Sequence, residues 1–290
     1  MRKGIILAGG LGSRLYPLTK GVNKHLLQVY DKPMIYYPLS TLMLAGIKEI
    51  LIITNSEDVN SFKKLFGYGD LFGINIQYAV QKKPEGVAQA FLIAQSYLNN
   101  DSSVLILGDN IFHGNQLISQ LSNISSDYAG ATVFAYPVKD PERYGVVEFD
   151  CKGNVLNIQE KPTSPKSNFA LTGLYFYDNS VVEKASKVKI SSRNEFEITH
   201  INQQYLDEGS LKVELMGRGT AWLDAGTHDS LHDAAGYIKT LQQRQGMIIG
   251  CPEEIAWRKN WINDSQLSSI LKPLKNNFYK QYLISLLELN

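Results

Sequence analysis

A glycine-rich segment follows the first apolar run of the chain and carries an arginine. Gly9, Gly10 and Gly12 come directly after the run 4–8, and Arg14 follows them. Glycines let the main chain turn sharply and bring its N–H groups close to an anion. A guanidinium adds a planar fork of donors suited to phosphate oxygens. The segment therefore predicts a phosphate-binding loop, with a plain strand-to-helix turn as the open alternative.

Two well-known phosphate loops do not fit this segment. The dinucleotide-binding pattern GxGxxG would need glycine at position 15, where the chain has Leu15. It would also need an acidic residue at the end of the second strand, where Thr54 and Asn55 stand. The P-loop pattern ends in GK followed by Ser or Thr, and this ending is absent. The sequence thus argues against a nicotinamide-dependent oxidoreductase.

Three further residues have the chemistry to complete a phosphate site. Lys24 supplies a second cation, although a lone lysine is most often a solvated surface charge. Asp109 follows the apolar run 103–108, at the edge where open α/β sheets bind ligands. Asp224 follows another short apolar run. Two carboxylates together with phosphate oxygens suit octahedral Mg²⁺. The alternative is that each aspartate only caps a turn.

The segment 81–88 has the residue types of a base-binding loop. The Gln81 amide can donate and accept at once, which matches the O4 and N3–H edge of a pyrimidine. Gly86 would let the main chain approach a flat ring closely. A polar loop that opens a helix is the alternative.

The composition is that of an ordinary globular protein and points to no polyanionic partner. The 290 residues are 44% hydrophobic and 20% charged, with 29 Lys and Arg against 28 Asp and Glu. This balance supports neither a nucleic acid nor an anionic membrane as partner. Cys151 and Cys251 form no CxxC pair, which argues against a zinc framework. The N-terminal apolar run breaks at Gly9-Gly10, so we expect a buried first strand in a cytoplasmic protein without a membrane span.

The elements that must position these residues alternate between strand and helix over the first 108 residues. Short apolar runs, typical of strands buried on both faces of a parallel sheet, lie at 4–8, 49–54, 75–80 and 103–108. Helical patterns lie between them at 33–45, 57–66 and 87–98. This order predicts an α/β fold with a Rossmann-like, mostly parallel sheet flanked by helices.

The second half is richer in strands and then becomes helical. Strands are predicted at 131–138, 145–149, 154–160, 169–177, 211–216 and 221–223. Asn194 and Glu197 have the spacing of a capping box and predict the start of a helix. The pattern is helical from about Thr227. We therefore expect one main domain, 1–236, with an inserted β-rich part, and a small helical C-terminal region, 237–290.

Several short motifs follow one another along the chain. They are LAGGxGxRLxPLT from Leu7, KxLL from Lys24, DKPMIYYPLSTLMLAGI from Asp31, LGDNIF from Leu107, DPERYGVVEFD from Asp140, EKP from Glu160, TGLYFYD from Thr172, WLDAGTH from Trp222 and CPEEIAWR from Cys251. Together they resemble the sugar-1-phosphate nucleotidyltransferases, and more narrowly the glucose-1-phosphate thymidylyltransferases. The similarity extends over almost the whole chain, and several motifs in order are far more specific than one glycine loop.

The resemblance implies an organisation and a reaction. It divides the main domain into a nucleotide part at about 1–130 and a sugar part at about 131–226. The implied reaction is a Mg²⁺-assisted in-line attack of glucose 1-phosphate on dTTP, which yields dTDP-glucose and pyrophosphate for deoxysugar (rhamnose-type) and surface polysaccharide synthesis. Relatives are tetramers, so a homo-oligomer is expected.

The resemblance also implies a role for each residue of the site. Catalytic roles fall on Arg14, Lys24 and Lys161, and metal binding falls on Asp109 and Asp224. The nucleotide would be bound by Leu7, Ala8, Gly9, Gly10, Gly12, Ser13, His25, Gln81, Pro84 and Gly86. The sugar phosphate would be bound by Asn110, Gly145, Glu160, Leu171, Gly173 and Arg193.

The chain departs from the family pattern at three positions. Gln28 stands where the family usually has proline, and His200 stands where relatives often have aspartate. His25 follows the phosphate-binding lysine, where the family usually has glutamine. Beside a triphosphate, His25 would become a further cation as the pH falls from about 8 to 6. Alternatively, its imidazole replaces the amide as a neutral hydrogen-bonding group.

Two other functions stay open on the sequence alone. One base methyl is worth only ~1–3 kcal/mol, so a UTP- or CTP-dependent enzyme is compatible with the same scaffold. A non-catalytic sugar-nucleotide sensor is the other alternative. The presence of Arg14, Lys24, Asp109 and Asp224 argues against the sensor.

Overall fold

The computed structural model describes residues 1–124 and 129–288. Residues 125–128, within the predicted nucleotide part, and 289–290, within the predicted C-terminal region, lie outside the described residues. The strands are β1 (Arg2–Leu7), β2 (Gln28–Val29), β3 (Lys32–Pro33), β4 (Glu49–Thr54), β5 (Asn75–Val80), β6 (Ser102–Leu107), β7 (Asn110–Gly114), β8 (Ala131–Pro137), β9 (Gly145–Phe149), β10 (Val155–Glu160), β11 (Phe169–Tyr177), β12 (Leu211–Leu215) and β13 (Thr220–Asp224). The helices are α1 (Tyr36–Leu44), α2 (Val59–Phe66), α3 (Gln89–Ile93), α4 (Gln95–Leu98), α5 (Leu117–Ser122), α6 (Val181–Ser186), α7 (Ile198–Asp207), α8 (His228–Gln245), α9 (Pro252–Arg258), α10 (Asp264–Leu271) and α11 (Phe278–Glu288).

A nine-stranded sheet forms the centre of the part of the chain that the structure describes. Its main path runs β10-β9-β11-β6-β1-β4-β5, and β8 pairs with β11 and β12. Strands β1, β4, β5 and β6 are parallel to one another. Strand β11 runs antiparallel to β6, β8 and β9. The predicted α/β class is confirmed, with the parallel strands in the first half of the chain and mainly antiparallel pairs in the second.

The apolar strands are buried on both faces, as their composition predicts. In β1, Ile5 and Ile6 are both inaccessible to solvent, and they face different hydrophobic clusters. Leu105 and Ile106 of β6 divide between the same two clusters. Because successive side chains of a strand point to opposite faces, a run without polar residues needs helices on both sides.

A second, two-stranded sheet lies at the edge of the site and was not predicted. Strand β7 directly follows β6 and pairs antiparallel with β13, with Asn110 opposite Asp224. Residues 107–112 were predicted only as a motif, and β13 was predicted as an isolated short strand. The pairing brings Asp224 next to the end of β6, although the two segments are far apart in the sequence.

Two predicted helices differ from the structure, and one predicted domain boundary falls within a helix. The helix predicted at 87–98 is two short helices, α3 and α4, which meet at Ala94. The capping box predicted at Asn194 is wrong: Asn194 has a φ of 59°, and α7 begins only at Ile198, after Glu197. A left-handed residue cannot begin the helix, so Asn194 lies in the preceding turn. The boundary predicted at 236 falls inside α8.

The C-terminal helices pack into the same core as the first half of the chain. Ile255 of α9 and Leu267 of α10 belong to one hydrophobic cluster with Leu39 and Leu42 of α1. Ala234 and Ile238 of α8 belong to a smaller cluster near β2 and α1. Among the described residues, no helix is both long and apolar enough to cross a bilayer.

Candidate active site

The predicted site residues meet where the parallel strands end. In the parallel pair β1–β6, Leu7 lies opposite Leu107, and the Gly108 N–H donates to the Leu7 carbonyl at 3.0 Å. The glycine loop after β1 and Asp109 after β6 therefore leave the sheet side by side. This is the crevice in which open α/β sheets bind ligands.

Two cavities occupy this crevice and share Arg14. The loop cavity, of about 420 Å³, is lined by residues that include Leu7, Gly10, Gly12, Ser13, Arg14, Lys24, Gln81, Pro84 and Gly86. The central cavity, of about 230 Å³, is lined by residues that include Arg14, Asp109, Asn110, Gly145, Glu160, Lys161, Leu171, Gly173 and Asp224. Among the predicted site residues, Ala8, Gly9, His25 and Arg193 line neither cavity.

Gly12 allows the glycine loop to fold tightly over Lys24. Its φ is 63°, and a Cβ built on it would lie 2.8 Å from the Thr19 methyl group and 2.9 Å from the Lys24 Cβ. The Thr19 hydroxyl donates to the Gly12 carbonyl at 3.0 Å and holds the turn. Any other residue would be strained and would push Lys24 away from the loop.

Lys24 and Asp109 form an ion pair at the junction of the two cavities. Lys24 Nζ donates to Asp109 Oδ2 at 2.5 Å, and Asn110 Nδ2 donates to Asp109 Oδ1 at 3.0 Å. Burial of Asp109 opposes its ionisation. However, the charge of Lys24 and these two hydrogen bonds together hold the pKa of Asp109 well below its usual range. Asp109 is therefore a carboxylate with both oxygens in use.

Asp224 lies in the central cavity with Asp109, and the charge of Asp109 opposes its ionisation. Burial, followed by the Asp109 charge, raises the pKa of Asp224 to about 6, against the opposing effect of Arg14 and Lys24. Gly226 makes room for this arrangement, since a Cβ built on it would lie 2.8 Å from Arg14 Nη2 and 2.9 Å from Asp224 Oδ1. Two carboxylates that oppose each other's ionisation form a place where a cation would be stabilised.

The nucleotide-binding role predicted for His25 does not fit the structure. Its side chain lies beside Gly108 and is 1% exposed. Its main-chain N–H and its Nδ1–H both donate to Asn23 Oδ1, at 2.9 and 2.8 Å. Burial, followed by the charge of Lys24, lowers the pKa of His25 to about 3. His25 is thus a neutral residue beneath the site, which favours the neutral alternative over the charge switch.

Ala8 also lies beneath the site. Its N–H donates to the Ile53 carbonyl at 2.7 Å, and its carbonyl accepts from Asn23 Nδ2 and Thr54 Oγ1 at 3.3 and 3.2 Å. The main-chain N–H and carbonyl of Ala8, a residue that the resemblance assigned to the nucleotide, are therefore already hydrogen-bonded within the protein. Asn23, which the sequence analysis passed over, ties the segment before Lys24 to β1.

Gln81 lines the loop cavity, and its amide oxygen, buried beside Gly9, has no hydrogen-bond partner within the described part of the chain. The side chain is 2% exposed. A Cβ built on Gly9 would lie 2.1 Å from this oxygen, so Gly9 leaves the space that the Gln81 amide occupies. Gly9 supports the site from below, whereas Gly10 and Gly12 line it.

Gly86 has a different reason for being glycine than the predicted approach to a ring. Its φ is 115°, and a Cβ built on it would lie 2.5 Å from both the N and the O of Phe196. The Phe196 main chain hydrogen-bonds on either side of it, to the Glu85 carbonyl at 2.6 Å and to the Ala88 N–H at 3.0 Å. Gly86 therefore joins the loop 81–88 to the segment before α7.

The central cavity is also lined by Lys161, by Arg143 and by the partly buried carboxylate of Glu160. Lys161, at the end of β10, has a φ of 42°, an unfavourable conformation for a non-glycine residue. Burial, followed by the charge of Glu197, raises the pKa of Glu160, which Lys161 and Arg193 oppose. Gly145 lies between Thr199 and Glu160, since a Cβ built on it would be 2.9 Å from Thr199 Cγ2 and 3.5 Å from Glu160 Oε2.

Arg193 is paired with carboxylates, which differs from the phosphate-binding role predicted for it. Its guanidinium lies 3.1 Å from Glu160, 3.4 Å from Glu195 and 3.4 Å from Glu197. The acidic residues that follow Arg193 in the sequence fold back around it. In this arrangement Arg193 offsets the repulsion between Glu160 and Glu197.

Asn110 also differs from its predicted role. Its Oδ1 accepts from Trp222 Nε1 at 2.6 Å and from the Gly173 N–H at 3.0 Å, while its Nδ2 donates to Asp109. With 2% of its surface exposed, Asn110 holds its neighbours in place. Gly173 is glycine because a Cβ there would lie 2.6 Å from Asn110 Oδ1.

A separate apolar cavity of about 400 Å³ lies on another part of the molecule. Its lining includes Tyr37, Phe112, Ile249 and Cys251, and none of the predicted site residues. The crevice at the strand ends is therefore the candidate active site, because it contains the charged groups and the unpaired amide oxygen.

Comparison with known proteins decides the family. The model of the family described as "Nucleotidyl transferase" matches residues 3–240. A glucose-1-phosphate thymidylyltransferase of Neisseria meningitidis is 56% identical over 99% of both chains. One of Mycobacterium tuberculosis is 54% identical over 99% of this chain and 100% of its own. The chain belongs to the nucleotidyl transferase family.

The fold of this nucleotidyl transferase agrees with a solved structure from Bacillus anthracis. That structure is described as a glucose-1-phosphate thymidylyltransferase in complex with a sucrose. It superposes with a TM-score of 0.76 and 43% sequence identity, covering 82% of this chain and 95% of that one. The resemblance recognised in the sequence motifs is thus confirmed over nearly the full chain.

Three residues of the nucleotidyl transferase site were not found from the sequence. Gly226 was visible only as part of WLDAGTH, and Gln89 only as a residue within the helix predicted at 87–98. Asn23 precedes Lys24 and looked like a polar loop residue. In each case the function depends on contacts with distant residues, which a pattern within one segment does not contain.

Proposed function

We propose that the chain transfers a thymidylyl group from dTTP to glucose 1-phosphate, giving dTDP-glucose and pyrophosphate. The observation that carries this proposal is the pair of cavities joined at Arg14. The loop cavity has the glycine loop, two cations and the Gln81 amide. The central cavity has two aspartates, Lys161, Arg143 and the partly buried carboxylate of Glu160. The names of relatives at 54–56% identity support the choice of both substrates.

In this proposal the triphosphate occupies the loop cavity. Arg14 and Lys24 supply positive charge, and the glycine loop lets the main chain approach phosphate oxygens. The free carbonyl oxygen of Gln81 accepts the N3–H of the base. Leu7, Ser13 and Pro84 complete the wall of this cavity.

The sugar phosphate occupies the central cavity. Glu160 is the acceptor for sugar hydroxyls, with Leu171 and the two glycines Gly145 and Gly173 giving the ring its space. Lys161 is the cation for the phosphate, since Arg193 is paired with carboxylates. The proposal needs each cation, because a triphosphate and a sugar phosphate together carry about −6 at pH 7.

The reaction needs positioning and charge neutralisation more than a base. A phosphate monoester has a second pKa of about 6, so the attacking oxygen is already deprotonated at neutral pH. Arg14 lies between the two cavities, where charge develops on the leaving pyrophosphate during an in-line attack. No histidine is among the described residues that line either cavity, which agrees with a reaction without a general base.

Asp109 and Asp224 are the residues that would hold Mg²⁺. Both carboxylates line the central cavity, and the charge of Asp109 opposes the ionisation of Asp224, so a cation bound between them would stabilise the ionised pair. No cluster of three or more His, Cys, Asp or Glu side chains able to bind a metal is found within residues 1–124 and 129–288, so substrate oxygens would complete the coordination. When bound, the ion would neutralise charge on the phosphates as the new bond forms.

The Lys24–Asp109 ion pair joins a residue of the loop cavity to a residue of the central cavity. A bound cation would compete with Lys24 for Asp109 and leave the ammonium free for the triphosphate. The cytoplasmic location expected from the sequence and the tetramer expected from the resemblance belong to the same proposal.

Pyrophosphate release tests the proposed function. Purified protein is assayed with dTTP, UTP and CTP, each against glucose 1-phosphate and galactose 1-phosphate, with and without Mg²⁺. We expect dTTP with glucose 1-phosphate to have the highest kcat/KM and the reaction to need the metal. Preference for UTP, or no turnover with any pair, would contradict the proposal.

A further inference from the structure

Gln81 is positioned by a hydrogen-bond chain that lies outside the candidate site. Its Nε2 donates to Gln89 Oε1 at 2.6 Å, while its own Oε1 has no partner among the described residues. Its main-chain N–H donates to the Thr54 carbonyl at 2.7 Å, which fixes the start of the side chain at the end of β5. The Gln81 amide group can therefore turn only by rotation about the last bonds of the side chain.

The Gln89 amide has one orientation, because its two ends bond to groups of Glu85 that can act only as a donor or only as an acceptor. Its Oε1 accepts from the Glu85 main-chain N–H at 3.2 Å, and its Nε2 donates to Glu85 Oε2 at 2.8 Å. A main-chain N–H can only donate and an ionised carboxylate can only accept. Both contacts therefore require the same orientation of the Gln89 amide, with its oxygen towards Gln81.

This orientation decides which atom of the Gln81 amide is left without a partner. Since Gln89 presents an acceptor, Gln81 must turn its NH₂ group towards Gln89 and its carbonyl oxygen towards Gly9. The distance of 2.1 Å between that oxygen and a Cβ built on Gly9 confirms where it points. The opposite orientation would place two amide oxygens against each other at hydrogen-bond distance.

We propose that Gln89, fixed by Glu85, is a positioning residue that makes Gln81 an obligate acceptor and thereby excludes cytosine nucleotides. Thymine and uracil carry a donor at N3, which the Gln81 oxygen accepts. Cytosine has a lone pair at N3, so the two acceptors would face each other. The inference rests on the proposed function and adds a selection that does not involve the thymine methyl group.

Two substitutions at Gln89 separate polarity from structure. Gln89→Met removes the acceptor and lets Gln81 present either end of its amide. Gln89→Glu keeps an acceptor at the same place, since a carboxylate only accepts, although it adds a charge near Glu85. The kcat/KM is measured for dTTP, UTP and CTP at a fixed concentration of glucose 1-phosphate.

We expect Gln89→Met to lower the dTTP-to-CTP ratio of kcat/KM by about tenfold or more, the usual scale for one misplaced buried hydrogen bond. The dTTP-to-UTP ratio should stay unchanged, because both bases carry the N3–H. Gln89→Glu should keep both ratios near those of the wild type. A role for Gln89 in packing alone would move all three nucleotides together and affect both variants.

Each outcome distinguishes the inference from the proposed function. An unchanged dTTP-to-CTP ratio in Gln89→Met, with dTTP turnover intact, would overturn the role of Gln89 and leave the proposed function standing. An equal loss of discrimination in Gln89→Glu would overturn it as well, and this test holds even when Gln89→Met does not fold. Wild-type protein that fails to use dTTP would instead refute the proposed function.

Discussion

Replacing His25 by glutamine, the residue usual in the family, should change how stability depends on pH. The folded chain holds His25 neutral, because burial and then the Lys24 charge lower its pKa to about 3. In the unfolded chain the imidazole has its ordinary pKa of about 6.5. Between these values the unfolded state binds more protons than the folded state. The contribution of His25 to the free energy of unfolding is therefore full above about pH 6.5 and decreases as the pH falls below it.

The size of the effect follows from the difference in pKa. Each pH unit below about 6.5 costs roughly 1.4 kcal/mol, so lowering the pH from about 6.5 to 5 removes about 2 kcal/mol from the wild type through His25. Glutamine does not titrate, so His25→Gln lacks this loss. All carboxylates contribute equally to both proteins and cancel in the comparison.

Urea unfolding at about pH 7.5 and 5, with EDTA present and tryptophan fluorescence as the readout, measures this difference. We expect the wild type to lose about 2 kcal/mol more than His25→Gln between the two pH values. The dTTP dissociation constant should change in parallel for both proteins between about pH 8 and 6, since His25 stays neutral over that range. Equal losses of stability would show that His25 is not the buried neutral group described above.

Four further substitutions test the supports of the site. Asp109→Asn should abolish metal-dependent pyrophosphate release with an unchanged circular dichroism spectrum; substantial activity at saturating Mg²⁺ would mean that Asp109 binds no metal. Lys24→Ala should lower kcat more than it raises KM, because its charge matters most as charge develops at the α-phosphate, and an effect on KM alone would limit it to ground-state binding. Gly9→Ala should displace the Gln81 oxygen and raise the dTTP dissociation constant about tenfold, in isothermal titration, whereas unchanged affinity would place base binding elsewhere. Gly86→Ala should destabilise the fold by about 1–3 kcal/mol through its positive φ and the contact with Phe196, and a melting temperature equal to the wild type would contradict this.

The sequence predicts the parallel half of the fold well because its strands are recognisable one at a time. The runs 4–8, 49–54, 75–80 and 103–108 match β1, β4, β5 and β6 within two residues at either end. Burial on both faces requires an uninterrupted apolar run, so composition alone identifies such a strand. The residues at the ends of these strands, Gly9 and Asp109, then follow from the general position of ligands in open sheets.

The pairing of β7 with β13 was beyond local patterns. Each strand has only five residues, and their partners are separated by more than a hundred positions. Nothing within either segment shows that Asp224 lies opposite Asn110. The motifs around both aspartates supplied their role by resemblance, and the structure adds the pairing that brings them together.

Charges in a sequence do not show which of them are already paired. Arg193 looked available for a phosphate, yet three carboxylates surround it. His25 looked like a neighbour of the triphosphate because it follows Lys24, yet consecutive residues of this short turn point to different sides. In both cases the direction of the side chain, which the residue type does not show, determines what it contacts.

One buried side chain, that of Asn110, connects the predicted nucleotide part of the main domain to the predicted sugar part. Asn110 receives hydrogen bonds from Trp222 and Gly173 and gives one to Asp109, and all of these residues line the central cavity. Its amide therefore links β13 and β11 to the carboxylate that is paired with Lys24. A shift of β11 on sugar binding would act on Asp109 through one buried side chain. In the proposed function, both substrates would lie against one connected set of hydrogen bonds, which suits a reaction that depends on the alignment of two phosphates.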